Sequence, residues 1–406
     1  MQNNNTARCS GAVILVLGAL GFLLGSCEYV SVVILPEVAA DLRVSLDDAG
    51  RLVSIFAASY AAGTPLLTAA TGRLPRFRLL MGLMALFLAA NAGCMLAPSL
   101  GVLYLFRGLA AVSVGTATAA AQLFAGGAVP PERRVRAVTA VYTGMGLSTI
   151  VGNPLNKALC ALWGWRASFA LIVLAGAALL PFLSRVLPHD LRMKGAAAGA
   201  GQFAVLRDRR YLLSAAMTVC GYAASYTVYT YLTPILTDML HLQSGALALV
   251  LTGVGLCCTG SNLLGGWLGG RGGVERTPAV LALQALVLCT LPWLLGSAAT
   301  GLAAVGAMCL LLYFLASPVQ LYTADLAERS YPASAGLCAA TLSVAANIGI
   351  AAGSLLASLL RPVLGLRLLG LPAAALALAA LGLNLALRRE RRGIPHSALC
   401  AHYLRI

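Results

Sequence analysis

Long apolar runs alternate with short polar segments along almost the whole chain. The runs are bounded by charged residues, proline or glycine, and a helix needs about 20 apolar residues to cross the core of a bilayer. About twelve runs come close to or exceed that length, at residues 11–35, 50–72, 79–97, 100–124, 137–160, 167–187, 212–235, 245–268, 278–297, 300–322, 334–360 and 367–387. The pattern predicts an all-α membrane protein with twelve transmembrane helices.

The longest polar stretch lies between the sixth and seventh runs and divides the chain into two halves of six spans. The predicted parts are an N-terminal six-helix bundle (1–187), a cytoplasmic linker (188–211), a C-terminal six-helix bundle (212–387) and a cytoplasmic tail (388–406). Gly63–Arg73 resembles Gly260–Arg271 at an offset near 197 residues, and Gly152–Leu155 resembles Gly353–Leu356 at an offset of 201. These matches predict two pseudo-symmetric bundles with a substrate site between them.

Composition and charge agree with a membrane protein. The chain of 406 residues is 60% hydrophobic and only 10% charged, which excludes an ordinary soluble domain. The net charge of +15 raises the possibility of nucleic-acid binding, but the basic residues cluster in short segments between spans. With both termini in the cytoplasm, one side of the membrane receives 21 basic residues and the other side five. We therefore expect the lipid bilayer as a partner, cytoplasmic termini and no nucleic acid.

The first span contains a single acidic residue, Glu28. Roughly 17 residues separate it from the start of the span, and seven lie between it and Pro36. A carboxylate at that depth is costly unless it faces a cavity or a partner, so Glu28 is a candidate proton or substrate site. The alternative is an acid at the end of a helix that extends toward the lipid headgroups.

Arg107 lies in the fourth span, about seven residues after its start. A guanidinium at that depth needs a partner or water, and Glu28 complements it by charge. The alternative is that Arg107 extends toward the nearer membrane surface.

The fifth span combines glycines with a proline and two polar residues. Gly152 and Pro154 permit a kink and close approach to a facing helix. Asn156 and Lys157 follow them. Lys157 either extends to the membrane surface near Trp163 or lines a cavity together with Asn156.

Polar residues are few in the second half. Tyr222 and Tyr226 are four residues apart in the seventh span and share a helix face, where they either line a cavity or pack in the core. Asn262 and Asn347 are further candidates for the substrate cavity.

Neither a metal site nor an enzyme active site is expected. The chain has eleven cysteines without ligand spacing, and its four histidines lie in predicted loops and tails. A membrane enzyme would need a nucleophile and base or a set of metal ligands, and the histidines are too few and too scattered for either.

Several short motifs resemble those of one family. They are Cys27–Tyr29 in the first span, Leu35–Leu42 after it, Thr71–Arg76 after the second span, Arg107–Leu109, Val129–Arg134, Gly152–Pro154 and Gly164–Phe169. Together they resemble the major facilitator superfamily, and within it the twelve-span drug:proton antiporters that include bacterial sugar and nucleoside exporters.

The resemblance implies roles for particular residues. The loop after the second span resembles a cytoplasmic loop that clamps the two halves, which implies gating roles for Gly72, Arg73 and Arg76, and for Arg271 in the second copy. The usual acid of that loop is absent here, and anchoring to anionic lipid is the alternative. The resemblance also makes Arg107 a residue that influences proton transfer at Glu28.

The resemblance implies export of a small organic molecule in exchange for protons. The glycines and proline of the fifth span resemble the antiporter signature, although Asn156 and Lys157 depart from it. We expect a monomer in a bacterial inner membrane that uses a proton gradient and no cofactor. The alternatives are a proton-coupled symporter that imports a metabolite and, from another class, a sensor or scaffold that does not transport.

Overall fold

The computed structural model describes residues 2–71, 74–189, 200–270, 273–331 and 334–392, and these residues form helices and connecting turns without a β-strand. The helices are α1 (Gln2–Asp41), α2 (Leu46–Ala70), α3 (Arg76–Leu96), α4 (Leu100–Gly127), α5 (Pro131–Leu147), α6 (Asn153–Trp163), α7 (Trp165–Val186), α8 (Arg209–Tyr229), α9 (Leu232–Pro234), α10 (Ser244–Gly270), α11 (Thr277–Leu294), α12 (Ala298–Leu310), α13 (Ala316–Ser330), α14 (Ala335–Leu368) and α15 (Gly370–Arg392).

These helices combine into twelve passes because three passes are interrupted. A five-residue π-helical turn, Ser148–Gly152, joins α5 to α6, and a second π turn, Ile235–Met239, follows α8 and the short α9. Residues 311–315 separate α12 from α13. Among the described residues, eight helices are individually long and apolar enough to cross a bilayer. The predicted all-helical membrane fold is confirmed.

The π turn in the fifth pass has a covalent cause. Pro154 has no N–H, so the carbonyl of Ile150 loses the donor that a regular α-helix would supply. The chain widens into π-helical geometry at Ser148–Gly152 and then continues as α6. The sequence predicts a kink here, and the structure shows a π turn.

Close packing of α1 against α5 depends on glycine. A Cβ on Gly144 would lie 2.1 Å from the carbonyl oxygen of Gly18, and one on Gly21 would lie 2.1 Å from that of Val141. The two backbones therefore touch without intervening side chains, as small residues allow in lipid. The first and fifth passes are fixed to each other within the N-terminal half.

The molecule has two ends, which we name by their loops. The linker face carries residues 128–130, 187–189 and 200–208, and the opposite face carries residues 42–45, 97–99 and 240–243. Hydrogen bonds between the halves are concentrated toward the opposite face in the described residues. Thr233 donates to the carbonyl of Val32 (3.0 Å), and the hydroxyls of Ser54 and Ser354 are 2.8 Å apart.

Candidate functional site

Glu28 lies near the middle of the membrane-spanning part of α1. Thirteen residues separate it from the end of the helix at Asp41, a rise of about 20 Å. The side chain is partly buried, and its Oε2 atom is buried without a hydrogen-bond partner among the described residues. Its charge interacts with four tyrosines from both halves, Tyr29, Tyr60, Tyr222 and Tyr226. The acid therefore faces a site between the halves.

Arg107 is fully buried, so it does not extend to the membrane surface. Its Nη1 donates to the backbone carbonyl of Cys27 (2.9 Å), and its guanidinium carbon lies 4.2 Å from the centre of the Phe56 ring. Among the described ion pairs there is none between Arg107 and Glu28, although the two charges interact electrostatically. Arg107 thus holds the backbone immediately before Glu28.

Tyr222 and Tyr226 are buried in α8 and lie in an aromatic cluster around Tyr313. The hydroxyls of Tyr226 and Tyr313 are 3.0 Å apart, and the rings of Tyr222 and Tyr313 are 6.1 Å apart. Tyr29, next to Glu28, interacts electrostatically with Tyr313. The cluster joins the first pass to the seventh and tenth passes at the level of the acid.

Lys157 is buried and does not extend to the membrane surface, and its role at the substrate cavity stays a prediction. It is 9% exposed, and its Nζ forms an ion pair with Glu37 in α1. Neighbouring Asn156 is 1% exposed, and its side-chain oxygen has no hydrogen-bond partner among the described residues. The buried face of α6 is thus polar, and the Lys157 ion pair lies within the N-terminal half.

The remaining cavity candidates, Asn262 and Asn347, differ in burial. Asn262 is exposed on α10 and donates to the carbonyl of Cys258 (3.2 Å), one turn earlier. Asn347 is 5% exposed and donates to the carbonyl of Ser343 (3.0 Å). Each amide thus bonds its own helix, and their roles at the substrate cavity stay predictions.

The predicted gating residues are only partly described. Gly152 ends the π turn, where a Cβ would lie 3.0 Å from Ser26 Oγ in α1, and Pro154 lies in the first turn of α6. Arg76 begins α3 and is partly buried. Gly72, Arg73 and Arg271 lie outside the described residues.

Sequence reasoning missed a contact that closes the opposite face. Arg361 of α14 forms a two-pronged ion pair with Asp47 of α2, in which its Nη2 is 2.9 Å from Oδ2. Tyr231 donates a third hydrogen bond to the same carboxylate (3.1 Å). We call these three residues the outer latch. Asp47 and Arg361 are 314 residues apart, and no local pattern indicates their pairing.

The described residues contain no cluster of three or more His, Cys, Asp or Glu side chains suited to a metal ion. Among the described residues, the polar groups at the level of Glu28 include its carboxylate, the Arg107 guanidinium and several tyrosine hydroxyls. They can exchange a proton and hydrogen-bond an organic molecule.

Comparison with known proteins places the chain in a family of membrane transporters. The sequence model that describes the Major Facilitator Superfamily matches residues 17–354, and the chain belongs to that family. An uncharacterized MFS-type transporter of Bacillus subtilis, YtbD, is 31% identical over 355 residues, which cover 87% of this chain and 89% of the relative.

Two further similarities add detail. A chloramphenicol resistance protein of Streptomyces lividans is 30% identical over 273 residues, which cover 65% of this chain and 67% of the relative. A crystal structure of a bacterial homolog of the human lysosomal transporter Spinster superposes with a TM-score of 0.75. The two sequences are 16% identical, and the superposition covers 94% of this chain and 97% of the homolog's chain. At this identity the similarity shows a shared fold only. The predicted family and fold are confirmed.

Proposed function

We propose that this protein exports a small organic molecule in exchange for protons, by alternating access of one central site. The observation that carries the proposal is the carboxylate of Glu28, buried at midplane with Oε2 unpartnered and facing tyrosines of both halves. Glu28 holds the proton and releases it when substrate binds.

The position of Glu28 supports exchange. An isolated charge inside a membrane protein is costly, so the carboxylate is stabilised either by a proton or by a substrate that supplies hydrogen bonds or positive charge. The two ligands compete for one group, which is the requirement for antiport through a single acid. Arg107 tunes this step through the Cys27 carbonyl that it binds, one residue before the acid.

The contacts between the halves support alternating access. The outer latch and the bonds of Ser54 and Thr233 close the site toward the opposite face. Transport requires these contacts to break and the site to close at the linker face instead. The π turn and glycines of the fifth pass provide a surface on which α10 can move, because a Cβ on Gly255 would lie 2.5 Å from the carbonyl oxygen of Thr149.

Export is favoured by the similarity to a chloramphenicol resistance protein. The excess of basic residues at the linker face supports a cytoplasmic location for that face and both termini. The similarity to a bacterial transporter supports a bacterial inner membrane. We propose a monomer that uses the proton gradient, needs no cofactor and performs no chemistry on its substrate.

Proton-coupled import is the second candidate. It is favoured by the buried polar face of α6, where Asn156 and Lys157 replace the small residues of the antiporter signature and Lys157 binds Glu37. Both candidates use Glu28 but predict opposite directions of substrate flow.

Transport in membrane vesicles of known orientation tests the proposal. Radiolabelled chloramphenicol and tetraphenylphosphonium serve as probes, and acid-loaded inside-out vesicles provide the gradient. Antiport predicts accumulation in these vesicles, which collapses when nigericin dissipates the gradient and is absent in Glu28→Gln. The exposed Glu328→Gln is the matched control and transports like wild type. Uptake only into right-side-out vesicles with an acidic exterior would establish symport instead.

A further inference from the structure

The tenth pass is broken at the depth of Glu28. Helix α12 ends at Leu310, α13 begins at Ala316, and Tyr313 lies at the centre of the five residues between them. Its neighbours Leu312 and Phe314 are at most 2% exposed, so the break is inside the protein. Irregular backbone at membrane depth persists only where it is covered by protein or lines a cavity.

The break leaves backbone groups without helical partners. Ala316 N–H donates to the Tyr313 carbonyl (3.0 Å) in place of the Leu312 carbonyl. Pro318 has no N–H for the carbonyl of Phe314. On the donor side, the N–H of Tyr313 is satisfied by Ser261 Oγ of α10 (2.8 Å). A side chain from a neighbouring helix therefore holds the break open.

The side chain of Tyr313 connects the break to the acid. Its hydroxyl is 3.0 Å from that of Tyr226, and Tyr313 also interacts electrostatically with Tyr29, which is adjacent to Glu28 and belongs to the other half. Its ring packs against Tyr222 at 6.1 Å. One residue on irregular backbone thus contacts tyrosines of its own half and interacts with Tyr29 of the other half, within the cluster that surrounds Glu28.

We infer that Tyr313 is the specificity-determining residue of the substrate site, an inference that rests on the proposed function and deepens it. The Tyr313 hydroxyl hydrogen-bonds polar groups of the substrate, and its ring packs against the aromatic or apolar part. When substrate binds, the hydroxyl leaves Tyr226 for the substrate, so occupancy changes a bond of a tyrosine that interacts electrostatically with Glu28. The site therefore selects aromatic molecules that carry hydroxyl or amide groups and excludes anions, which Glu28 repels.

Two probes separate the hydroxyl from the ring. Chloramphenicol carries hydroxyl, amide and nitro groups, whereas tetraphenylphosphonium has aromatic rings and no hydrogen-bonding group. We expect Tyr313→Phe to weaken chloramphenicol binding about fivefold, the effect of one lost hydrogen bond, and to leave tetraphenylphosphonium binding within twofold of wild type. Tyr313→Ala should weaken both probes about tenfold, because the ring is lost as well.

The experiment measures the Kd of each probe by calorimetry on detergent-solubilised full-length protein. Tyr104→Phe is the control, since Tyr104 is another hydrogen-bonded tyrosine whose partner is the Asp48 backbone carbonyl near the opposite face. Thermal unfolding of each variant checks folding. A merely structural role predicts that Tyr313→Phe weakens both probes equally.

Three results overturn the assignment of Tyr313. They are equal losses for both probes in Tyr313→Phe, wild-type affinity in Tyr313→Ala, and the same chloramphenicol loss in Tyr104→Phe. Failure of the proposed function is distinguishable, because wild type then binds neither probe or binds both without releasing protons. Absence of binding to wild type contradicts both proposals together, whereas normal wild-type behaviour with unaffected Tyr313 variants contradicts only this one.

Discussion

Lys157 and Glu37 form a buried ion pair within the N-terminal half, where their side chains are 11% and 31% exposed. Removal of one partner leaves the other charge without its counter-ion in the membrane interior, whereas removal of both avoids that cost. We expect Lys157→Gln to lower the free energy of unfolding by about 2 kcal/mol, because partial exposure of Glu37 reduces the larger penalty of a fully buried pair.

Thermal unfolding of the purified variants checks this prediction. The double variant Glu37→Gln with Lys157→Gln should recover most of the loss in melting temperature. An additive loss in the double variant would show that the two side chains act independently and would contradict the pairing.

At the residue scale, the depth of a charged side chain in the membrane could be predicted from the sequence. Its hydrogen-bond and ion-pair partners could not. The length of the apolar runs around Glu28 and Arg107 places both residues inside the membrane. The partners depend on tertiary contact: Arg107 binds a backbone carbonyl 80 residues away, and Lys157 binds a carboxylate 120 residues away. Every residue has a backbone carbonyl, so a sequence does not indicate which carbonyl accepts a hydrogen bond. Charge complementarity therefore predicts Glu28, and not the Cys27 carbonyl, as the partner of Arg107.

Helix α8 begins with a cap that depends on pH. Asp208 accepts a hydrogen bond from the backbone N–H of Arg210 (2.8 Å) and forms an ion pair with the Arg210 side chain (2.8 Å). Burial raises the pKa of Asp208, but the hydrogen bonds from Arg210 outweigh it, and the net effect is a lowered pKa. The ionised cap therefore stabilises the fold at neutral pH. This stabilisation is lost as the pH falls below about 4, through the lowered pKa of the folded state.

We expect Asp208→Ala to lower stability by about 1 kcal/mol at pH 7, and Asp208→Asn to lower it less because the amide oxygen can still cap the helix. Melting temperatures at pH 7 and at pH values below 4 check the prediction. The difference between wild type and Asp208→Asn should shrink at the lower pH. A difference that is constant with pH would exclude a role for the carboxylate charge.

At the element scale, apolar runs predict the passes well because hydrophobic length fixes where a helix can cross the bilayer. The interruptions were harder to predict. Pro154 indicates a disturbance in the fifth pass, and the structure resolves it as a π turn. Pro318 gives a similar local signal for the break around Tyr313, but Leu311–Leu315 is an apolar run and the stabilising hydroxyl comes from Ser261, 52 residues away.

For the molecule as a whole, we expect the outer latch to hold the central site closed at the opposite face. Asp47 and Arg361 are 13% and 26% exposed, so solvent screens their attraction only in part. We expect Asp47→Asn to shift the population toward opening at the opposite face by about 1–2 kcal/mol, or roughly five- to thirtyfold.

Distances between spin labels on the two halves at the opposite face report this shift. Asp48→Asn is the matched control. The carboxylate of Asp48 forms an ion pair with Arg51 (3.1 Å) in the same helix, α2, so this pair does not connect the two halves. The charge exchange Asp47→Arg with Arg361→Asp should restore the closed population. An unchanged distance distribution in Asp47→Asn would show that the latch does not hold this face closed.

The division into two halves could be predicted from internal resemblance, and the family from short motifs. The sequence does not indicate at which face of the molecule the two halves are in contact. That depends on contacts between residues of different halves, such as Ser54 and Ser354. The expected gating loops at Gly72, Arg73 and Arg271 lie outside the described residues, and their roles stay predictions.

The exchange of substrate and proton at Glu28 is tested most directly by proton release from purified protein. Weakly buffered wild type, Glu28→Gln and the control Glu328→Gln receive chloramphenicol or tetraphenylphosphonium, and a pH indicator records released protons. We predict release by wild type and Glu328→Gln that saturates with substrate binding, and no release by Glu28→Gln. Equal release by Glu28→Gln and wild type would contradict the assignment of the exchanged proton to Glu28.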